Sequence, residues 1–187
     1  MVKDIGEAKK YLSSDWCFPR LRSDKKFEVT SKRNVNFNCI AWAMRLCDRW
    51  VDTQDTAGHW WPVQLDAISP TQNGLITAFE SLKFVKCDNS EPEFFYDKVA
   101  LYYHPITKGW THAARIISVT EYHSKLGGLW DIHHSNGSVL HNPKYLNVTY
   151  GSVYQIMKRH KMYRFYSLWL IIVRLFQNIK EDIYGLL

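Results

Sequence analysis

Two residues of this 187-residue chain have the chemistry of a nucleophile and its base. Cys39 ends the asparagine-rich stretch NVNFNC and opens the apolar run IAWAM, so we expect it to begin a helix. A thiol at a helix N-terminus lies at the positive end of the helix dipole, which is expected to lower its pKa. His112 opens the apolar run AARIISV, and an imidazole at a strand start can take the proton of a nearby thiol.

A cysteine nucleophile and its histidine base usually need a third polar group that orients the imidazole. The polar patch between residues 121 and 135 supplies candidates for this role. Asp131 is favoured, because a carboxylate fixes the imidazole tautomer and stabilises its cation. His134 and His123 are the alternatives.

Two further groups of residues are expected to complete such a site. The backbone N–H of Cys39, together with the side chain of Asn38 or Asn36, is the candidate donor set for the oxyanion of a tetrahedral intermediate. Trp60 and Trp61 stand side by side in a turn-rich segment and are candidates to line the substrate cleft.

The same residues suggest two other functions. A metal could be bound by imidazoles from His123, His133, His134 and His141. Adjacent histidines point to opposite faces of a strand, so His133 and His134 do not both serve easily. We therefore expect no metal, and thiol chemistry requires no cofactor. The other alternative is a non-catalytic interaction module or toxin-like effector that acts through its C-terminal helix and an aromatic surface.

Composition indicates a globular chain, since 46% of its residues are hydrophobic and 15% are aromatic. The four cysteines, at positions 17, 39, 47 and 87, form no CxxC pair, which excludes a zinc ribbon and a thioredoxin-type motif. The N-terminal MVKDIGEAKKYL has no apolar core like that of a secretory signal, so we expect a cytoplasmic protein with free thiols. The net charge of +6 accompanies no nucleic-acid motif, and we expect no specific nucleic-acid partner.

Hydrophobic periodicity predicts an α+β domain, with helices first and an antiparallel sheet afterwards. Helices are expected over residues 4–13, from Cys39 to Trp50, and over 74–84. Strands are expected near residues 27–31 and in the segments DKVALYYH, THAARIISV, EYHSK and LWDIHH. The segment YGSVYQIMKR fits either a strand or the start of a helix.

The C-terminal segment is the most apolar part of the chain. We expect a catalytic domain over residues 1–160 and an amphipathic helix over 161–187, whose uncharged stretch is too short to span a bilayer. Its apolar face, between residues 165 and 179, is expected to contact the domain, a protein partner or a second copy of the chain. A membrane surface is the less favoured alternative, although basic residues at 159, 161 and 164 would suit one.

The order of these residues resembles that of papain-like and NlpC/P60-like cysteine peptidases and amidases. In those enzymes a cysteine at a helix start is followed by a histidine at a strand start and then by a polar residue. The blocks NCIAWA, THAAR, SKLG and DIHH also resemble an uncharacterised group of bacterial proteins, from about Phe27 to Arg159. The resemblance implies a nucleophile helix packed on a small antiparallel sheet. It also implies a thiol hydrolase or acyl-transferase acting on a peptide, amide or other acyl substrate.

Overall fold

The computed structural model describes residues 2–53, 59–62, 71–104, 106, 108–135, 137–142, 144–145 and 149–184. The α-helices of this part of the chain are α1 (Val2–Leu12), α2 (Cys39–Met44), α3 (Gln72–Ser81) and α4 (Arg164–Tyr184). Its strands are β1 (Glu28–Val29), β2 (Trp50–Val51), β3 (His59–Trp60), β4 (Val85–Cys87), β5 (Tyr96–His104), β6 (Gly109–Ser118), β7 (Glu121–Lys125), β8 (Asp131–His134) and β9 (Ser152–His160). Short 3-10 helices cover Pro19–Ser23, Gly137–Leu140 and Lys161–Tyr163.

Seven strands form one sheet in the order β1-β8-β7-β6-β5-β9-β4, and the pairs within it are antiparallel. The predicted α+β class is therefore confirmed. The segment that fitted either a strand or a helix is the strand β9, which pairs with β5. Three strands are not predicted from the sequence: β4, which pairs with β9; β2, at the end of a predicted helix; and β3, which lies in the segment expected to be a loop and pairs in parallel with β2.

Helix α2 begins where the sequence predicts and ends earlier. The side chain of Asn38 caps its N-terminus by accepting from the N–H of Ala41. The predicted continuation to Trp50 is wrong, because Arg45 adopts a left-handed conformation with φ 64° and ends the helix after six residues. Trp50 instead begins β2.

The two faces of the sheet are covered by different parts of the chain. On one face, Ala113, Leu101 and Met157 join a buried cluster with Cys39 and other residues of α2 and α3. On the other face, α1 and the segment after it pack over β1 and β8, around Leu12, Leu21 and Ile132. Residues alternate between the faces along each strand, so adjacent residues of β6 serve different cores.

Helix α4 packs on the α2 and α3 side through Leu170 and Ile171. Buried Ser167 accepts a hydrogen bond from Arg159 of β9 at 2.8 Å and donates to the carbonyl of Met44. These contacts attach the helix to the sheet, and the division of the chain at residue 160 stays a prediction. No helix in the described ranges is long and apolar enough to cross a membrane.

Candidate active site

Cys39 lies at the start of α2, against strand β6. The backbone N–H groups of Ala113, Ile40 and Cys39 itself lie near its Sγ atom and lower the pKa of the thiol. The side chain is buried, and its residue exposes 7% of its surface. Three backbone donors around one sulfur form a small cradle for negative charge.

The expected low pKa of Cys39 is not found. Burial raises the pKa of its thiol to about 11, and the hydrogen bonds from Ala113, Ile40 and its own N–H offset only part of that rise. The nearby carboxylate of Asp52 raises it further. In a helix of only six residues, the dipole does not outweigh the loss of solvent around the sulfur. Cys39 is therefore a neutral thiol at neutral pH.

His112 belongs to a chain of hydrogen bonds that crosses three neighbouring strands. Its Nε2 lies 2.9 Å from Oγ of Ser124 on β7, and that oxygen lies 2.7 Å from Nε2 of His134 on β8. Nδ1 of His134 bonds to the carbonyl oxygen of Ser135. His112, Ser124 and His134 are all buried.

The donor and acceptor of each of these hydrogen bonds follow from the last bond, between His134 and Ser135. A carbonyl oxygen can only accept, so His134 carries its proton on Nδ1 and leaves Nε2 as an acceptor. Ser124 then donates to His134 and accepts from the Nε2–H of His112. Nδ1 of His112 is consequently the unprotonated nitrogen, and it is buried with no hydrogen-bond partner among the described residues. Burial, with a smaller effect from His134, holds the pKa of His112 well below its usual value.

Asp131 does not occupy the orienting position expected of it. Even-numbered residues of β6, β7 and β8 share the face of His112, as the pairing of Ala114 with Ser124 shows, and Asp131 pairs with Lys125 on the opposite face. Its carboxylate lies 3.8 Å from Nζ of buried Lys125. Neither Asp131 nor Cys39 makes a hydrogen bond to His112, although all three lie in described ranges.

The two alternative orienting residues have different positions. His134 is linked to His112 through Ser124, as described above. His123 faces α2 instead, where its ring meets Trp42 edge-on and its Nε2 lies 3.1 Å from Thr30. Only the first of these alternatives therefore belongs to the same hydrogen-bonded chain as His112.

The predicted oxyanion side chains have structural contacts instead. Buried Asn38 uses its Oδ1 to cap α2 and its Nδ2 to donate to the carbonyl of Val51 at 2.8 Å. Asn36 is exposed, and its backbone N–H bonds to Asn34. The backbone N–H groups near Cys39 act on its sulfur, where they favour negative charge on the thiol.

The tryptophans predicted to line a cleft are half-buried and pack against the α2 and α3 cluster. Trp61 stacks on Trp110 with 6.0 Å between ring centroids, and Arg49 lies over Trp60. Their role in substrate binding stays a prediction. In the described ranges, His, Cys, Asp and Glu residues form no group of three or more that could hold a metal ion.

The comparisons with known proteins give one match. Residues 28–158 match the family model of DUF7689, a domain of unknown function, which covers more than half of the chain. The chain belongs to the DUF7689 family. The matched range extends from β1 into β9, and it is consistent with the uncharacterised group suggested by the sequence blocks. No curated protein and no solved structure matches the chain.

A cavity of about 330 Å³ lies on the α1 side of the sheet in this DUF7689 domain. Thr111 and Tyr150 line it, together with apolar residues that include Leu12 and Leu126. The ring of Tyr150 stacks on His112 with 4.2 Å between centroids and 8° between planes. Tyr150 therefore contacts both the cavity and the imidazole.

Three residues of the DUF7689 domain have a larger part in this site than the sequence indicates. Ser124 lies in the predicted polar patch, and it stands 12 residues after His112, a spacing that suits the next strand of a hairpin. Lys125 beside it is buried, and its charge interacts with both Asp131 and Cys39. Tyr150 lies in a loop and carries no sequence signal that links it to His112.

Proposed function

We propose that this DUF7689 protein is a thiol hydrolase or acyl-transferase with Cys39 as nucleophile and His112 as base. The observation that carries the proposal is the unprotonated, unpartnered Nδ1 of His112, in a ring whose other nitrogen is fixed by Ser124. A buried nitrogen lone pair without a donor is costly, so it needs an explanation. A base that accepts its proton only during the reaction supplies one.

Cys39 and the His112 ring lie on opposite faces of β6, because Cys39 packs with Ala113 in the α2 and α3 cluster and His112 bonds to Ser124 on the other face. The order of the residues along the chain, and not their contact, supports the proposal. The order of cysteine on a helix, histidine on a strand and a polar residue on the following strand is that of papain-like and NlpC/P60-like enzymes. We infer a distant relationship to them, with Ser124 and His134 in place of Asp131.

The proposed reaction starts from a neutral pair, because burial raises the pKa of the Cys39 thiol and lowers that of His112. The reaction requires Nδ1 of His112 to come within hydrogen-bond distance of the Cys39 thiol; it then takes the thiol proton as sulfur attacks the acyl carbon, and Ser124 and His134 hold the ring. The N–H groups of Cys39, Ile40 and Ala113 stabilise the negative charge that the sulfur acquires as its proton leaves. His112 then protonates the leaving group, and water or an amine releases the acyl group from Cys39.

A non-catalytic interaction module or effector is the second candidate. The observation that favours it is the apolar surface of α4, where eight large hydrophobic side chains between residues 165 and 179 are exposed. This surface does not involve Cys39 or His112, so an interaction through it is compatible with the proposed chemistry.

A chromogenic acyl ester tests the proposed function. The full chain is incubated with p-nitrophenyl acetate at pH 7, and the acetylated residue is located by peptide mass spectrometry. We expect acetylation of Cys39, its absence in Cys39→Ala, and a rate about 10²- to 10⁴-fold lower in His112→Ala. His133→Ala is the control, because His133 pairs with Glu121 on the opposite face and should acetylate normally. Acetylation of other cysteines alone, or an unchanged rate in His112→Ala, contradicts the proposal.

A further inference from the structure

Helix α4 has a second face that the domain does not cover. Ser167, Leu170 and Ile171 face the domain, and Arg164 forms a bidentate ion pair with Asp97 of β5. The large side chains on the outer face are 41% to 72% exposed; they are Phe165, Leu168, Trp169, Ile172, Leu175, Phe176 and Ile179. These seven residues are named the outer face of α4.

The spacing of the outer face is that of a helix-pairing seam. Phe165, Trp169, Ile172, Phe176 and Ile179 follow one another at intervals of four, three, four and three residues. This alternation is the seam of two helices packed at a small crossing angle. Leu168 and Leu175 widen the seam on one side. A helix is therefore a better fit to this face than an extended peptide.

The area of the outer face matches what one partner contributes to a stable complex. The seven side chains expose roughly 800 Å², taking about 200 Å² for a fully exposed large side chain. A standard protein interface takes about 800 Å² from each partner. Apolar patches of this size on a soluble monomer usually mark an interaction site.

The outer face is also complementary to itself. A two-fold axis through Ile172 brings Phe165 opposite Ile179, Leu168 opposite Phe176, and Trp169 opposite Leu175. Every pair is apolar, and the only unpaired member lies on the axis. Such a surface forms a closed interface between two identical chains. Antiparallel packing also sets the two helix dipoles in the favourable orientation.

The basic residues around the start of α4 argue against a lipid surface. An in-plane membrane helix needs lysine and arginine side chains free to meet anionic headgroups. Here Arg159 is buried against Ser167, Lys161 donates to the carbonyl of Phe94, and Arg164 is paired with Asp97. The charged groups of these three residues therefore bind other groups of the same chain and are not free to meet lipid headgroups.

We propose that the outer face of α4 binds the outer face of α4 in a second copy of the chain, antiparallel and centred on Ile172. The dimer leaves Cys39 and His112 in place, and each chain keeps its own candidate site.

Sedimentation equilibrium of the full chain at micromolar concentration tests the dimer. We expect twice the chain mass for the wild type and for Val119→Glu, a control at a similarly exposed apolar residue in the turn between β6 and β7. Ile172→Glu should be monomeric with unchanged circular dichroism, because the axis would place two carboxylates together. A monomeric wild type, or an Ile172→Glu variant that stays dimeric, overturns the proposal. So does a monomer that co-sediments with vesicles of anionic phospholipid.

Cysteine cross-linking tests the direction of the helices. With a short bismaleimide, Leu168→Cys mixed with Phe176→Cys should form a mixed dimer, and neither variant alone should exceed the background of the wild type. Efficient cross-linking of Leu168→Cys to itself would indicate parallel helices and contradict the antiparallel arrangement.

Discussion

The Nε2 atom of His112 lies 2.9 Å from the Oγ atom of Ser124 on the neighbouring strand. Because the Ser124 hydroxyl donates its hydrogen bond to His134, it can only accept from His112, which leaves the proton of His112 on Nε2 and the lone pair on Nδ1. The hydroxyl therefore orients the ring and sets its tautomer, which is the task that the sequence suggested for a carboxylate.

Replacing this hydroxyl should weaken both the chemistry and the fold. Ser124→Ala removes two buried hydrogen bonds, one to Nε2 of His112 and one to Nε2 of His134. We expect about 1–3 kcal/mol lower free energy of unfolding in urea. The rate of Cys39 acylation should fall at least tenfold. Ser118→Ala is the control, since Ser118 lies half-buried at the end of β6 outside the hydrogen-bonded chain. Equal rates in the two variants would remove Ser124 from the mechanism.

Asp131→Asn should lower stability without slowing acylation, because Asp131 and His112 lie on opposite faces of the sheet. The substitution leaves buried Lys125 without its ionic partner 3.8 Å away, so we expect the free energy of unfolding to fall by about 1–3 kcal/mol. The acylation rate of Cys39 should stay within about threefold of the wild type, because Asp131 does not touch His112. A loss of orders of magnitude in a folded Asp131→Asn variant would restore the carboxylate to the triad.

The sequence predicts which segments of this site form strands, but it does not predict which residues of neighbouring strands share a face of the sheet. Alternation in DKVALYYH and THAARIISV predicts the β5–β6 hairpin, but β6 begins at Gly109, three residues before His112, which was expected at the strand start. Which residues share a face depends on the pairing of β7 with β8, where Ser124 pairs with Ile132 and Lys125 with Asp131. A shift of one residue in this pairing would move every side chain of the strand to the other face of the sheet. Alternation within one strand does not determine the register in which that strand pairs with its neighbour.

The end of α2 could not be predicted for a local reason. The residues after Met44 continue a helical spacing as far as Trp50, which favours a longer helix. Arg45 ends it by entering the left-handed region, a conformation that non-glycine residues seldom adopt and that the sequence does not signal. The start was predictable, because asparagine before an apolar run is a common N-cap.

Asn38→Ala tests the capping role of this residue. It removes the cap of α2 and the hydrogen bond to the carbonyl of Val51. We expect a loss of about 2–3 kcal/mol in the free energy of unfolding. Thr71→Ala, at the cap of α3, removes one similar hydrogen bond and should cost about 1 kcal/mol. A smaller loss in Asn38→Ala than in Thr71→Ala would contradict the assignment.

Stability should fall as the pH drops below about 6.5. Burial lowers the pKa of His123 to about 4 and that of His112 well below its usual value. Between those values and 6.5, the unfolded chain binds protons that the folded chain does not, so acid favours unfolding. In that pH range, each of these two histidines lowers the free energy of unfolding by up to about 1.4 kcal/mol for every pH unit of acidification.

Urea unfolding at pH 7, 6 and 5 checks this dependence. The free energy of unfolding should decrease at each step, and His123→Gln should show a shallower decrease than the wild type. Stability that is constant or rises from pH 7 to pH 5 would show that these histidines are charged in the folded protein.

The pH dependence of Cys39 acylation by p-nitrophenyl acetate tests the central claim most directly. If His112 removes the thiol proton during attack, the wild-type rate should be nearly constant from pH 7 to pH 9. In His112→Ala the rate should be far lower at pH 7 and rise about tenfold per pH unit, since only the thiolate then reacts and burial raises the thiol pKa to about 11. A wild-type rate that rises tenfold per pH unit and coincides with that of His112→Ala would contradict the account.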